Sequence, residues 1–166
     1  MKKEKTSIVF TGDIGFDRYM DRKWEDENLL SQGVLDFFHS ADHVCANVEG
    51  ALIDAVDDGS RGVFFHAMNP EATKVFMKMR TDIWSIGNNH TMDAGGEGVA
   101  STRKIAADLG VKTIGAGMNV HEASEPVYLD VKPNDAPSSV IFERMNLSSF
   151  EKRSRTSVDL CWLSES

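Results

Sequence analysis

Long apolar runs are missing from the start of this chain. After the charged opening Met1-Lys2-Lys3-Glu4-Lys5, the first apolar run is only Ile8-Val9-Phe10. That is too short for the core of a signal peptide or for a membrane span. The chain as written is therefore expected in the cytoplasm. Cysteine is scarce as well. Cys45 and Cys161 stand apart with no CxxC spacing, which argues against a disulfide framework and against a structural zinc site built on thiolates. Cys45 lies in an apolar run and is expected to be a buried free thiol. Positive charge is in deficit: 18 Lys and Arg against 26 Asp and Glu give a formal charge of −8. This argues against nucleic acid or an anionic membrane as the main partner. It does not exclude a local anion site, and a bound divalent cation would reverse the local sign. Internal repeats are absent. What remains is 166 residues with 41% hydrophobic and 27% charged side chains, a globular balance sufficient for one core.

The elements alternate. Ser7 to Phe10 reads as a short strand ending in a Thr11-Gly12-Asp13 loop, and Leu29 to Phe38 has helical spacing through Leu30, Val34, Phe37 and Phe38. His43 to Val48 is a second strand closed by Glu49-Gly50. The Asp- and Gly-rich stretch from Ile53 to Gly62 reads as a loop. Asn69-Pro70 supplies a cap and a first helical residue, with Val75, Phe76 and Met79 inward. Ile83 to Ile86 is a third strand, Gly98 to Leu109 a helix with Gly110 at its C′ position, Val111 to Ile114 a fourth strand and Val127 to Val131 a fifth. The order implies an α/β fold, a mainly parallel sheet flanked by helices with right-handed crossovers. Ile8, Phe10, Val44, Val48, Ile83, Ile86, Val111 and Ile114 are expected in the buried sheet. From Ser138 onward the chain becomes Ser-rich and aperiodic, although Val140-Ile141-Phe142 fits one more strand. Residues 1–137 therefore read as the domain. Residues 138–166 read as a weakly structured tail, or one foreign to the domain.

Ligands of a parallel sheet bind beyond the carboxyl ends of its strands. Asp13 follows strand one, Asn47 and Glu49 close strand two, and Asn88-Asn89-His90 follow strand three. Asp13, Glu49, Asn89 and His90 are expected to converge in one cleft. Two carboxylates, amide oxygens and an imidazole suit Mn²⁺, Fe²⁺ or Zn²⁺. Arg18, beside Asp17, either binds an anionic group or pairs with a carboxylate. Asp93, three residues after His90, either orients the imidazole or caps the next helix. Each of these polar groups also has a plain structural use in turns and strand ends.

Phe10-Thr11-Gly12-Asp13, Ala41-Asp42 with Ala46-Asn47-Val48-Glu49, and Gly87-Asn88-Asn89-His90-Thr91-Met92-Asp93-Ala94-Gly95 resemble, in order, blocks of the CapA family of bacterial poly-γ-glutamate capsule biosynthesis proteins. Gly115 to Asn119 with Glu122-Ala123 is similar to that family's next block, so the resemblance spans about residues 6–132. The Asn-Asn-His-x-x-Asp-x-Gly block is its specific part. The resemblance implies a likeness to calcineurin-type metallophosphoesterases, a β-sandwich flanked by helices with two metals. By it Asp13 would bind one ion, Glu49 would stand where a metal-bridging Asp is usual, and Asn89 would bind the second ion. His90 would face the leaving group or the substrate. Asp93 and Arg18, read from the residues themselves, complete the candidate catalytic set with His90. Two ions roughly 3.5–4 Å apart clamp an in-line phosphoryl displacement. The superfamily adds His-containing blocks further on, whereas this chain has no His after His121. With the tail, this reads as the N-terminal half of a truncated or frame-altered product.

Two functions from different classes follow. One is a metal-dependent, phosphoesterase-like hydrolase acting on an anionic polymer or phosphoester in capsule synthesis, with membrane association open to full-length relatives. The other is a non-catalytic polymer-binding or assembly component among capsule-synthesis partners, self-associating through exposed sheet surface. A plain α/β domain that uses these polar residues only in turns is the third reading.

Overall fold

A computed structural model describes residues 6–54, 65–130 and, for the backbone, 139–142. Among the described residues eight strands and four α-helices follow one another: β1 Ile8–Ile14, α1 Gln32–Ser40, β2 His43–Val48, β3 Ala51–Leu52, β4 Ala67–Met68, α2 Thr73–Lys78, β5 Ile83–Ser85, α3 Gly95–Asp108, β6 Lys112–Ile114, α4 Val120–Ala123, β7 Val127–Asp130 and β8 Ser139–Phe142. The central sheet has the order β1-β2-β5-β6 with every pair parallel. This is the α/β arrangement that the alternation implied. β3 and β4 form a separate parallel pair, and β7 and β8 an antiparallel one.

β2 is buried along most of its length because it is a central strand. Its alternation divides the core. Ala46 and Val48 join Trp84, Phe76 and Leu52 on one side, while Cys45 joins Ile83, Ile114, Val127 and Leu129 on the other. The larger side holds a run of aromatic contacts. Trp24 meets Phe16 at 6.2 Å, Phe16 meets Phe76 at 6.3 Å, and Phe76 meets Trp84 at 5.4 Å. Each such pair adds about 0.5–1.5 kcal/mol beyond area burial. Trp84 is fully buried, and its indole N–H donates to Thr81 Oγ1 at 2.8 Å.

The strand at residues 43–48 and the cap at Asn69 follow the sequence expectation. Asn69 Oδ1 accepts the Glu71 N–H at 2.8 Å, although the first turn, Pro70–Ala72, is 3-10. Gly110 has φ +74° after α3, and the Val111 N–H closes on Ala106 O at 2.8 Å. This capping bond spends Val111 on the helix end, so β6 begins at Lys112 rather than one residue earlier. The strand read at Val140–Phe142 is present and starts at Ser139. The rest of the tail and most of the Ile53–Gly62 loop lie outside the described residues.

β1 corrects two expectations. Its pairing with β2 runs on through Asp13 and Ile14, so Thr11-Gly12-Asp13 lies within the strand and not in a loop. The register shifts between Phe10 and Asp13, where two β1 residues face Ala46 alone. Such a bulge re-aims the side chains after it. β1 is also an edge of the sheet, so Phe10 is 48% exposed and Ile8 only partly buried, whereas the other six expected sheet residues are buried. Among the described residues no helix is long and apolar enough to cross a membrane.

Two outcomes test this core. Trp84→Ala should cost about 3–5 kcal/mol, and Thr81→Val, which orphans the indole N–H, about 1–3 kcal/mol; denaturant unfolding measures both. Cys45 is buried and free. Burial, with the nearby Asp82 charge, pushes its thiol up to about 12 against an opposing hydrogen bond from the Ser85 backbone. The folded pKa is raised, so Cys45 leaves stability untouched below the unfolded value of 9.0 and lowers it as pH climbs from there to about 12. At pH 8, peptide mapping should show Cys45 resisting iodoacetamide in the native chain and reacting in denaturant.

Candidate functional site

The carboxyl ends of β1, β2 and β5 carry a connected row of polar side chains. Asp13 and Asn47 are register partners, and Asn47 Nδ2 donates to Asp13 Oδ1. Asn88 Nδ2 donates to Val48 O at 2.8 Å and to Asn47 Oδ1 at 3.3 Å. Asn88 Oδ1 in turn accepts the His90 N–H at 3.0 Å. The asparagines therefore act as spacers that fix the loop after β5 against the ends of β2 and β1. Thr91 Oγ1 completes the loop by accepting the Asn88 N–H at 2.8 Å and donating to Ile86 O at 2.5 Å.

His90 projects from this loop. Its Nδ1 lies 2.8 Å from Asp93 Oδ2 and its Nε2 lies 3.7 Å from Glu49 Oε1. A carboxylate accepts only, so the Nδ1 contact places the proton there and leaves the Nε2 lone pair toward Glu49. This is the orienting task considered for Asp93. It does not cap α3, whose N-cap is Ala94 with no side-chain bond.

A third group joins these two. One ligand atom each from Glu49, His66 and His90 lie within 4.8 Å of one another. The two imidazole centroids are 4.0 Å apart. His66 arrives through the β3–β4 pair, because Ala51 pairs with Ala67 and the Ala51 N–H donates to His66 O at 3.4 Å. Gly50 permits this approach: its φ is +83°, and a Cβ there would stand 2.5 Å from His66 O. Asp93 Oδ2 also accepts the His66 N–H at 2.8 Å. His66 Nδ1 also lies 2.8 Å from Asp17 Oδ2. That oxygen is buried and has no aligned hydrogen bond.

The structure thus brings Glu49, His90 and Asp93 together and adds Asp17 and His66. Asp13 is exposed and linked to the group only through Asn47 and Asn88. Asn89 is exposed, and its side chain makes no hydrogen bond among the described residues. Arg18 is exposed on the turn after Asp17. The side chains of Glu49, His66, His90, Asp17 and Asp93 are between 15% and 22% exposed, sheltered yet open to a small ligand. His66 was not singled out by the sequence reading. It does follow an apolar run, Val63-Phe64-Phe65, as long as the Ile8-Val9-Phe10 run of β1, but the two-residue strand after it leaves no periodicity to read.

A family model described as bacterial capsule synthesis protein PGA_cap matches residues 7–156. The chain belongs to this family. The match covers every residue of the cluster and runs on past residue 132, where the resemblance of the motifs ended. Similarity to the PGA biosynthesis protein CapA of Bacillus subtilis (strain 168) is 28% identity over 124 residues, covering 73% of this chain and 33% of that protein. The chain spans about a third of the length of the curated relative it matches. Within this PGA_cap chain, Gly50→Ala should strain the backbone by about 1–2 kcal/mol and force His66 away from Glu49. Unfolding measurements and the shift of the His66 ring signals in NMR check this.

Proposed function

We propose that this chain supplies part of a divalent-cation-dependent, hydrolase-type site used in capsule synthesis, with an anionic polymer or phosphoester as substrate. The observation that carries the reading is the convergence of Glu49, His66 and His90, whose ligand atoms lie within 4.8 Å of one another. Two imidazoles and a carboxylate are a donor set for Zn²⁺, Mn²⁺ or Fe²⁺. Three carboxylates, Asp17, Glu49 and Asp93, surround the two rings, so the local field favours a cation.

Glu49, His66 and His90 would hold the ion, and Asp93 would keep the His90 Nε2 lone pair inward. A bound ion supplies Lewis-acid polarisation of a phosphoryl or carbonyl oxygen and acidifies a water molecule. Asp13, read from the sequence as a ligand, lies one asparagine away from the loop that carries His90, where it could serve a second ion. Asn89 and Arg18, at exposed positions, would meet the anionic substrate at the rim.

A second reading keeps the cluster but not the turnover. Glu49 replaces the bridging Asp implied by the superfamily resemblance, and the cluster gathers three strong ligands, enough for one ion rather than two. The chain alone would then bind metal and anionic polymer with little hydrolysis. Titration of Mn²⁺ and Zn²⁺ by calorimetry should show about one site per chain, lost in Glu49→Ala and in His90→Ala. With excess Mn²⁺, an aryl phosphate should be hydrolysed slowly at most. Equal metal binding by wild type and Glu49→Ala would remove the metal reading. Robust turnover abolished in Glu49→Ala would remove the second reading and leave the first.

A further inference from the structure

We propose that Asp17 is the positioning residue of His66 and that His66, so held, is a ligand of the ion; this rests on reading the Glu49–His66–His90 cluster as a metal site. Each histidine has a carboxylate beside its Nδ1, aligned as a hydrogen bond at His90 and as a close ion-pair contact at His66. His90 turns Nδ1 to Asp93 at 2.8 Å, and His66 turns Nδ1 to Asp17 at 2.8 Å. In each ring the proton belongs on Nδ1, since a carboxylate oxygen would repel a lone pair at that distance. In each ring Nε2 is left for the cluster. Carboxylates behind metal-binding imidazoles fix the tautomer and raise the basicity of the ligating nitrogen.

The backbone of His66 is already fixed. Asp93 Oδ2 takes its N–H, and its carbonyl is packed against Gly50 and bonded to the Ala51 N–H. What remains free is rotation of the ring, and Asp17 is the group that sets it. The backbone of Asp17 is held on both sides. Phe16, 4% exposed, is clamped between Trp24 and Phe76, and Asp17 O accepts the Met20 N–H at 2.9 Å. Its Oδ2 is sealed from solvent with no aligned hydrogen bond. A buried carboxylate oxygen in that condition is costly unless a charge or proton answers it, and His66 Nδ1, 2.8 Å away, is the group placed to supply that proton once the ring turns into line.

The test uses the full chain and Zn²⁺ alone, with wild type, Asp17→Ala, Asp17→Asn, His66→Ala and Glu49→Ala compared by calorimetry. Asp17→Ala should weaken Zn²⁺ binding roughly 10–100-fold at unchanged stoichiometry. Asp17→Asn, whose amide oxygen still accepts from Nδ1, should recover most of it. Long-range ¹H–¹⁵N spectra of the metal-free chain, at a pH where the imidazole is neutral, should show the His66 proton on Nδ1, with that bias lost in Asp17→Ala. Wild-type affinity in Asp17→Ala and His66→Ala, with Glu49→Ala still inactive in binding, would overturn this proposal and leave the metal reading standing. No Zn²⁺ binding by wild type would overturn both. Should Asp17→Ala fail to fold, the wild-type spectrum decides, and a proton on Nε2 of His66 overturns the proposal.

Discussion

One oxygen atom ties together segments that the chain keeps 27 residues apart: Asp93 Oδ2 accepts both the backbone N–H of His66 and the Nδ1–H of His90. The first bond holds the entry to β4, and the second holds the loop between β5 and α3. This oxygen adds to the holds each histidine already has: the Ala51 N–H on the His66 carbonyl, and the Asn88 and Thr91 bonds within the loop that carries His90. The same interaction fixes the geometry of both histidines' segments and sets the Asp93 carboxylate beside the cluster.

The rest of the architecture delivers the partners of that carboxylate. The parallel sheet puts the ends of β1, β2 and β5 side by side, so one residue from each can meet its neighbours. The β1 bulge sets Asp13 against Asn47, and the asparagine row carries that alignment to His90. α3 packs on β3, with Leu52 N–H bonded to Thr102 Oγ1 at 2.8 Å and Ser101 Oγ to Leu52 O at 2.7 Å. Because β3 carries β4, the helix that starts just after Asp93 also braces the strand pair that brings in His66. The aromatic run from Trp24 to Trp84 does the same for Asp17. An acidic chain of net charge −8 thereby concentrates three carboxylates around two imidazoles at one end of its sheet.

Much of this was legible in the sequence. Apolar runs of strand length marked β2 and β5, each followed by the polar residues that a parallel sheet displays, and Gly110 ending α3 marked the start of β6. Asp93 was visible as a partner of His90 because three residues separate them. The edge position of β1 was not visible, since Ile8-Val9-Phe10 reads as a buried run whether or not a neighbour covers it. Thr11-Gly12-Asp13 reads as a turn by composition, and pairing with β2 overrides that preference. His66 depends on a two-residue parallel pair and on the close backbone approach at Gly50. Both are tertiary facts, and the apolar run Val63-Phe64-Phe65 before His66 does not by itself mark them. Asp17 was noted only as a neighbour of Arg18, because its partner lies across that same unread pair.

The central claim is that Glu49, His66 and His90 form one cation site. Anomalous diffraction from crystals soaked in Zn²⁺, with data on both sides of the absorption edge, tests it most directly. The account predicts a peak at roughly 2.0–2.2 Å from Nε2 of both histidines and from a Glu49 oxygen. A peak elsewhere, or ordered Zn²⁺ that leaves His66 unbound while the ring still faces Asp17, would contradict it.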